Sequence, residues 1–350
     1  MSDTLNYNYV KVVLALKQIK GIGNITILGF SKDELKLITD LNGLIAFIKI
    51  KRPEVSEEEV TKAYNSAEKI IIESERQGIK IICDIDTSTY PQYLLKTKDH
   101  PLVIFARGDI KLLNEENLIA IVGSRAALQE SLNFTKEITK KFINQNFVIV
   151  SGLAEGIDTQ AHKTAVENKG KTIAVLPSDL INIYPAKNKQ LAQEILDTGG
   201  LLISEYPVNT QMGKFSFIER DRIQSGLSLG VFVIESKEDG GTMQTASFCQ
   251  KQERLLIVLN QDKEIPNFSG NQELIIKMRD NQNIVDYKIH LDIPDYVTAN
   301  KLREPATITY SAGDTQIQDI LLKIKNIKDR LQNKTFQIKK EKGVSQATLF

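Results

Sequence analysis

The sequence predicts an α/β protein built on a doubly wound parallel sheet, with a helical domain before it and a small helical tail after it. Six short apolar runs carry the prediction: "LIAIVG" (118–123), "FVIVSG" (147–152), "TIAVL" (172–176), "LLIS" (201–204), "VFVIE" (231–235) and "LLIVL" (255–259). Each is apolar on both faces, as a strand covered by helices on either side must be. Amphipathic stretches such as "NFTKEITKKFINQN" and "LAQEILDTGG" separate them, and strands that alternate with helices pair in parallel. The first 78 residues are patterned as helices instead.

From the N-terminus, "LALKQIKGIGNITILGF" (14–30) reads as a helix ending at Gly21-Ile22-Gly23, with Asn24 placed to cap the next helix. This is the shape of a helix-hairpin-helix turn, whose exposed amides can approach a DNA phosphate; a plain turn inside a small all-α module fits the same residues. In "SEEEVTKAYNSAEKIIIESERQG" (56–78) a serine and three glutamates open a helix, the acids favouring its positive end. Past Asp286 the pattern weakens: "HLDIPDYVTANKLREPATITYSAGD" reads as loop with a short strand, and "IQDILLKIKNIKDRLQNK" as one amphipathic helix. From Lys323 onward, Lys and Arg at 323, 325, 328, 330, 334, 339, 340 and 342 face only Asp329 and Glu341. That excess suits a solvated helix face and tail, or contact with nucleic acid or an acidic partner. The expected domains are 1–78 (helical), 79–288 (sheet domain) and 289–350 (C-terminal extension with a basic helix and tail).

Composition narrows the function. With 350 residues, 41% apolar and 25% charged, the chain is an ordinary globular one. Its 45 Lys and Arg nearly cancel 44 Asp and Glu, so any polyanion site must be a local patch. No apolar run approaches the roughly 20 residues of a membrane span, and Met1-Ser2-Asp3-Thr4-Leu5-Asn6-Tyr7 lacks the basic start and apolar stretch of a signal peptide; a cytoplasmic protein is expected. Cys83 and Cys249 stand far apart without partner histidines, which gives neither a disulfide framework nor a zinc site. Both read as small core residues, and no metal or cofactor is expected.

Chemistry is expected where the strands end, because in sheets of this class ligands bind at the carboxyl ends. Gly123-Ser124-Arg125 offers close backbone approach, a hydroxyl and a planar guanidinium matched to phosphate oxygens. "SGLAEGIDTQAH" (151–162) brings Ser151, Gly152 and a second glycine before a helix, whose amides favour anions. "GKFSFIERDRIQSGLS" (213–228) adds Lys214, Arg220 and Arg222 as cations, with Phe215 and Phe217 as stacking faces. "EDGGTMQTAS" (238–247) opens another helix with Gly240, Gly241 and Thr242. Singly, each has a plainer explanation in turn geometry, and His162 and Phe217 in core packing; jointly they describe an anion cradle. The chain has no Gly-x-x-x-x-Gly-Lys-Ser/Thr loop, no Gly-x-Gly-x-x-Gly after the first strand, no Gly-x-Ser-x-Gly elbow and no Cys/His cluster. Binding is therefore expected rather than catalysis.

In this order the segments resemble the DNA-processing protein A family (DprA, also called Smf): "YPQYLL" at Tyr90, "HPLVIFARGD" at His100, "IAIVGSR" at Ile119, "VSGLAEGIDTQAH" at Val150, "IYPAKNKQL" at Ile183, "GGLLISEYP" at Gly199, "FSFIERDRIQSGLS" at Phe215, "GGTMQTA" at Gly240 and "GNQELI" at Gly270. The resemblance runs from about residue 80 to 285, and the glycine-turn helical start is similar to the family's N-terminal helix-hairpin-helix (SAM-like) module. It implies an extended Rossmann-like domain and a non-enzymatic protein that holds single-stranded DNA in a basic pocket. It further implies loading of a RecA-type recombinase in DNA recombination and natural transformation, and dimerisation through that domain. Carried over by position, the pocket comprises Gly123, Ser124, Arg125, Ser151, Gly152, Arg220, Arg222, Gly240, Gly241 and Thr242, with Lys214 and Phe217 beside them.

The chain departs from the family pattern in several places. Arg220-Asp221-Arg222 replaces Arg-Asn-Arg, with Glu219 adjacent, so two carboxylates stand where phosphate must approach. Glu253 replaces a glycine, Leu259-Asn260 replaces Pro-Gly, Ser178-Asp179 stands where glycines precede the Tyr-Pro element, and 289–350 resembles no winged helix. Such departures suit a divergent branch, and with it an alternative role: a regulatory or antitoxin-like module of an antiphage defence system that senses nucleotide or DNA and controls a partner toxin or effector. A nucleotide N-glycosidase is the enzymatic alternative. Its glutamate-bearing Gly-Gly-x-Gly-Thr-x-x-Glu element is matched here by Gly241-Thr242-Met243-Gln244-Thr245, with threonine in the glutamate's place.

Overall fold

Capping chemistry sets the helices of the N-terminal third. Helix α1 (Ser2–Gln18) runs into a turn in which Gly21 takes φ +81°, followed by α2 (Asn24–Leu28), α3 (Lys32–Lys36), α4 (Leu41–Lys51) and α5 (Glu57–Arg76). Side chains of Ser31, Asp40 and Ser56 accept hydrogen bonds from the amides of Glu34, Gly43 and Glu59 at 3.4, 2.8 and 3.2 Å, each three residues on, where a helix has no partner of its own. Replacing Ser56 by alanine should therefore cost about 1 kcal/mol, read as a lower urea midpoint at unchanged slope. Asn24 does not cap α2 as its sequence position suggests. Gly23 occupies that place without a side-chain bond. Asn24 is already the first residue of α2; its amide donates to the His100 carbonyl at 2.9 Å while its oxygen accepts from Leu102 N at 3.4 Å.

The remaining elements follow in alternation: β1 (Lys80–Cys83), α6 (Gln92–Leu95), β2 (Val103–Gly108), β3 (Leu118–Val122), α7 (Gln129–Asn144), β4 (Val148–Ser151), α8 (Ile157–Glu167), β5 (Thr172–Leu176), α9 (Lys189–Asp197), β6 (Leu201–Ser204), α10 (Ser216–Leu227), β7 (Gly230–Val233), α11 (Thr242–Lys251), β8 (Leu255–Gln261), α12 (Ser269–Lys277), β9 (Ile284–Ile289) and α13 (Gly313–Gln346). The structure, a computed structural model, describes residues 2–261, 265–277, 283–289 and 313–346. The loop and short strand expected over 290–312 lie outside the described residues, as do the side chains of the basic tail beyond Asn333. At 284–289 the weakening pattern is a strand after all, β9, parallel to β8.

The chain divides into two compact units, Met1–Glu115 with Ile173–Ile223, and Glu116–Thr172 with Gln224–Phe350. In the first, the strand order is β1-β2-β6-β5; β5 and β6 are parallel, and β2 runs antiparallel to both of its neighbours. In the second, the order β4-β3-β7-β8-β9 is parallel throughout. The fold is thus α/β and mostly parallel, with an antiparallel margin that six apolar runs alone do not foretell. The chain winds from β3 outward to β4 in one direction and from β7 to β8 and β9 in the other. Such a reversal leaves a crevice at the carboxyl ends of the strands on either side of it, here β3 and β7.

Helix α13 buries Ile317, Ile320, Ile324, Ile327 and Leu331, the three-and-four spacing of one helical face, and packs on β8. Some of its cations are matched within the fold: Lys328 Nζ lies 2.6 Å from a Glu116 carboxylate oxygen and Arg330 donates to the Glu253 carbonyl. Among the described residues no helix is long and apolar enough to cross a membrane. Cys83 and Cys249 are buried and free, with burial pushing their thiols up to about 11 and 12.

Candidate nucleic-acid interface

At the switch between β3 and β7 the chain builds a clamped turn. Gly123 follows β3 directly. A methyl group there would lie 2.5 Å from Ile157 Cγ1 and 3.1 Å from the Glu235 carbonyl oxygen, so only glycine lets the turn sit this close to α8 and to the end of β7. Ser124 N donates to the Glu235 carbonyl at 2.7 Å, Leu128 N to the Glu235 carboxylate at 2.9 Å, and Ile157 N to the Ser124 carbonyl at 3.2 Å. Ala126 N closes the turn on Ser124 Oγ at 3.2 Å. The result is a short, fully specified turn with Arg125 exposed at its tip.

Glu235 is completely buried, and its second carboxylate oxygen accepts from Asn267 Nδ2 at 3.1 Å. Behind it, Asn271 accepts from Ser236 N and donates to the carbonyls of Ile234 and Leu259 at 2.8–3.0 Å. A buried carboxylate is tolerated only when its oxygens are bonded, and here the bonding fixes two loops at once. The second loop, 236–241, leads into α11. Gly241 stands at the cap position with no side-chain bond to the first turn, and the amides of Met243 and Gln244 close instead on the carbonyls of Gly240 and Gly241 at 3.0 Å each. Gly241 is exposed and Gly240 and Thr242 are half-buried.

Ser151 and Gly152, at the end of β4 beside β3, have internal tasks. The Ser151 hydroxyl donates to the Ile121 carbonyl at 2.7 Å and Gly152 N donates to Asp158 Oδ2 at 3.0 Å, so the Gly152 amide is already engaged rather than open. Helix α8 spends its first amide on Ser124. The helix follows Gly156, whose φ of +73° and ψ of −122° belong to glycine alone. His162 is a buried core residue with Nδ1 2.8 Å from Thr172 Oγ1.

In the first unit, α10 carries Phe217, Arg220 and Arg222. Arg220 is buried, donates to the Val175 carbonyl at 3.1 Å and pairs through Nε with Asp221 Oδ1 at 3.1 Å. The Asp221 carboxylate is therefore turned onto its neighbour, away from solvent. Arg222 is buried against Glu205, which also takes Lys17 Nζ at 2.9 Å. Burial alone would push the Glu205 carboxyl up, and the Lys17 and Arg222 cations outweigh it and hold it below the usual carboxylate range. Glu219 is exposed and accepts from the Tyr206 hydroxyl, whose pKa is raised by burial and by this bond. Lys214 and Phe215 are exposed, with the ammonium 5.9 Å from the ring centroid; Phe217 is half-buried against Tyr184, centroids 5.6 Å apart.

The structure thus brings Gly123–Arg125, Ser151–Gly152 and Gly240–Thr242 to adjacent strand ends of one unit, and Lys214, Phe217, Arg220 and Arg222 to α10 and the segment before it in the other. Sequence reasoning named none of the carboxylates that hold these parts, Glu235, Asp158 and Glu205. The available signal was their position, immediately after a buried strand or inside a helix's first turn. Among the described residues no group of three or more His, Cys, Asp or Glu side chains is arranged to hold a metal ion.

Residues 80–286 match the family described as DNA recombination-mediator protein A. The chain is 38% identical over 188 residues to DNA processing protein DprA of Bacillus subtilis, covering 54% of this chain and 63% of the relative. It is 36% identical over 190 residues to Protein Smf of Escherichia coli, covering 54% and 50%. It therefore spans about half to just under two thirds of the length of these relatives. Among solved structures it resembles DNA processing protein A from Streptococcus pneumoniae, with a TM-score of 0.64, 29% identity, and coverage of 81% of this chain and 95% of that one. It also resembles DNA processing protein A from Helicobacter pylori, for which a single-stranded DNA binding mode is described, with a TM-score of 0.52, 31% identity, and coverage of 57% and 87%. With more than half of its length matched, and the glycine turn, the α8 entry and the α10 arginines all inside the match, the chain belongs to the DNA recombination-mediator protein A family.

Proposed function

We propose that the chain binds single-stranded DNA without catalysis and acts as a mediator of DNA recombination. The observation that supports this most directly is the Gly123–Arg125 turn: an exposed arginine on a turn held through the Ser124, Ala126 and Leu128 amides, at the crevice where sheets of this kind take their ligands. Arg125 and the Ser124 hydroxyl hold phosphate oxygens, and the positive end of α11, at exposed Gly241 with half-buried Gly240 and Thr242, favours another. Lys214 and Phe217 supply a cation and a stacking face for bases. Arg220 and Arg222 contribute by fixing α10, as Ser151 and Gly152 contribute by fixing the end of β4. Family membership supports extending this reading to a RecA-type recombinase as partner and to a homodimer.

The test is a titration of the full chain against labelled oligo-dT and against mononucleotides at two salt concentrations. Preference for the polymer is expected, with affinity falling as salt rises. Arg125→Ala should weaken binding and lower the salt slope by about 0.7, the share of one lost contact to a single strand. Equal or tighter binding of mononucleotides, or an Arg125→Ala variant indistinguishable from the parent, would overturn the reading.

A further inference from the structure

The segment between β5 and α9 presents an aromatic ring that the proposed site does not use. Tyr184 is 40% exposed, yet its backbone is firmly placed. Asp179, buried, accepts from the amides of Ile181 and Asn182 at 2.9 and 2.6 Å and from Asn182 Nδ2 at 2.9 Å, and Ser204 Oγ donates to the Ser178 carbonyl at 2.6 Å. The Tyr184 ring meets Phe217 edge to face, with centroids 5.6 Å apart and planes at 70°. Two rings at this angle form an L-shaped notch: each fixes the other's orientation, and each keeps a face that the other does not cover. Around Phe217 the surface is unusually apolar for solvent, with Met212, Phe215 and Ile218 all exposed, while Lys214 supplies a positive charge.

Resting on the reading of this chain as a single-stranded DNA binder, we propose that Tyr184 is a second base-stacking residue, forming with Phe217 a notch that takes one unpaired nucleobase. The nucleobase is the occupant that fits both features, a flat π-face to lie against a ring and a phosphate beside it for Lys214. A stack of this kind contacts any base and reads no sequence. It differs from the Arg125 turn in what it grips, since one holds the base and the other the backbone.

That difference makes the proposal testable with two probes of the same length and charge, oligo-dT and an oligomer whose sugars carry no bases. In the full chain, Tyr184→Ala and Tyr184→Leu should weaken oligo-dT binding roughly 5- to 150-fold, the range of one base–aromatic stack, and leave the abasic oligomer unchanged. Tyr184→Phe should bind both as the parent does, showing that the fold tolerates change at this position. Arg125→Ala should weaken both probes alike. A Tyr184→Ala protein that binds oligo-dT like the parent, or that loses both probes equally, overturns the notch. Failure of the parent protein to bind oligo-dT at all overturns the function beneath it, and the two failures are read from different lanes.

Discussion

Glu205→Ala is expected to lower the unfolding free energy by about 3–5 kcal/mol, the usual consequence of removing one partner from a buried ionic cluster. Glu205 is 8% exposed and joins Lys17 of α1 to Arg222 of α10. Without it the buried Arg222 guanidinium and the half-buried Lys17 ammonium lose the carboxylate they share. The loss should appear as a lower urea midpoint at an unchanged slope, since the surface exposed on unfolding does not change. The effect depends on pH with a definite sign. The folded-state pKa of Glu205 is depressed, so its stabilisation is fully present above the unfolded value of about 4.3 and disappears as pH falls through the lower folded value. The gap between parent and variant should therefore begin to narrow as pH falls past about 4.3 and close only below the folded value. A gap that stays constant down to acid pH would show that Glu205 acts by packing rather than by charge.

Gly156→Ala should damage both stability and DNA binding. An added Cβ would lie 2.2 Å from the Ser124 carbonyl oxygen and 2.7 Å from that of Arg125, and φ is +73°. Backbone in this region costs an L-residue about 1–3 kcal/mol, and the collision is with main chain rather than with a side chain that can swing away. The turn must move, and Arg125 with it. We expect a loss of at least about 2 kcal/mol by urea titration and of about tenfold or more in oligo-dT affinity. Gly241→Ala is the stability control: its Cβ meets nothing within 4 Å, so its urea midpoint should stay near the parent's. A Gly156→Ala protein with parental affinity would mean that the turn is not where phosphate is held.

The parts of the fold that the sequence displayed are those whose burial is two-sided. β3 to β8 announce themselves because a strand covered on both faces has nothing polar to confuse its period, and their observed limits fall within two residues of the apolar runs. β1, β2 and β9 escaped for physical reasons. β1 and β9 stand last in their strand orders. Edge strands have one neighbour, tolerate residues such as Lys80 and Lys288, and so lose the apolar signature. β2 ends in Arg107-Gly108, which reads as a turn until its antiparallel pairing with Leu202 and Leu201 is seen. In the candidate site, the Gly123–Arg125 and Gly240–Thr242 turns were legible as small and polar residues at strand ends, whereas Ser151, Arg220 and Arg222, read there as ligand contacts, are buried and bonded within the fold. What secures them was not legible. Glu205 and Glu235 follow buried strands and Asp84 the buried end of β1, each within two residues, and a carboxylate in that position must find hydrogen-bond donors or cations. The sequence shows the need and conceals the partner, since Lys17 and Glu205 lie 188 positions apart. Asp221 illustrates the same limit: as a substitution within a basic motif it suggests repulsion of phosphate, and folding turns it onto Arg220 instead.

Asp84 extends this to the architecture of the first unit. It is almost wholly buried and collects the Tyr9 hydroxyl, the Lys32 ammonium and His100 Nε2; burial would raise its pKa, and these donors hold it low. Two of the three come from the leading helices, and Glu205 draws Lys17 from the same stretch. A shortened chain starting at Lys80, where the family match begins, would carry away two interior anions, each stripped of the lysine that faces it. The amino-terminal helices are thus ballast for the sheet they precede, and a cut made at the edge of sequence similarity would fall through the middle of a folding unit.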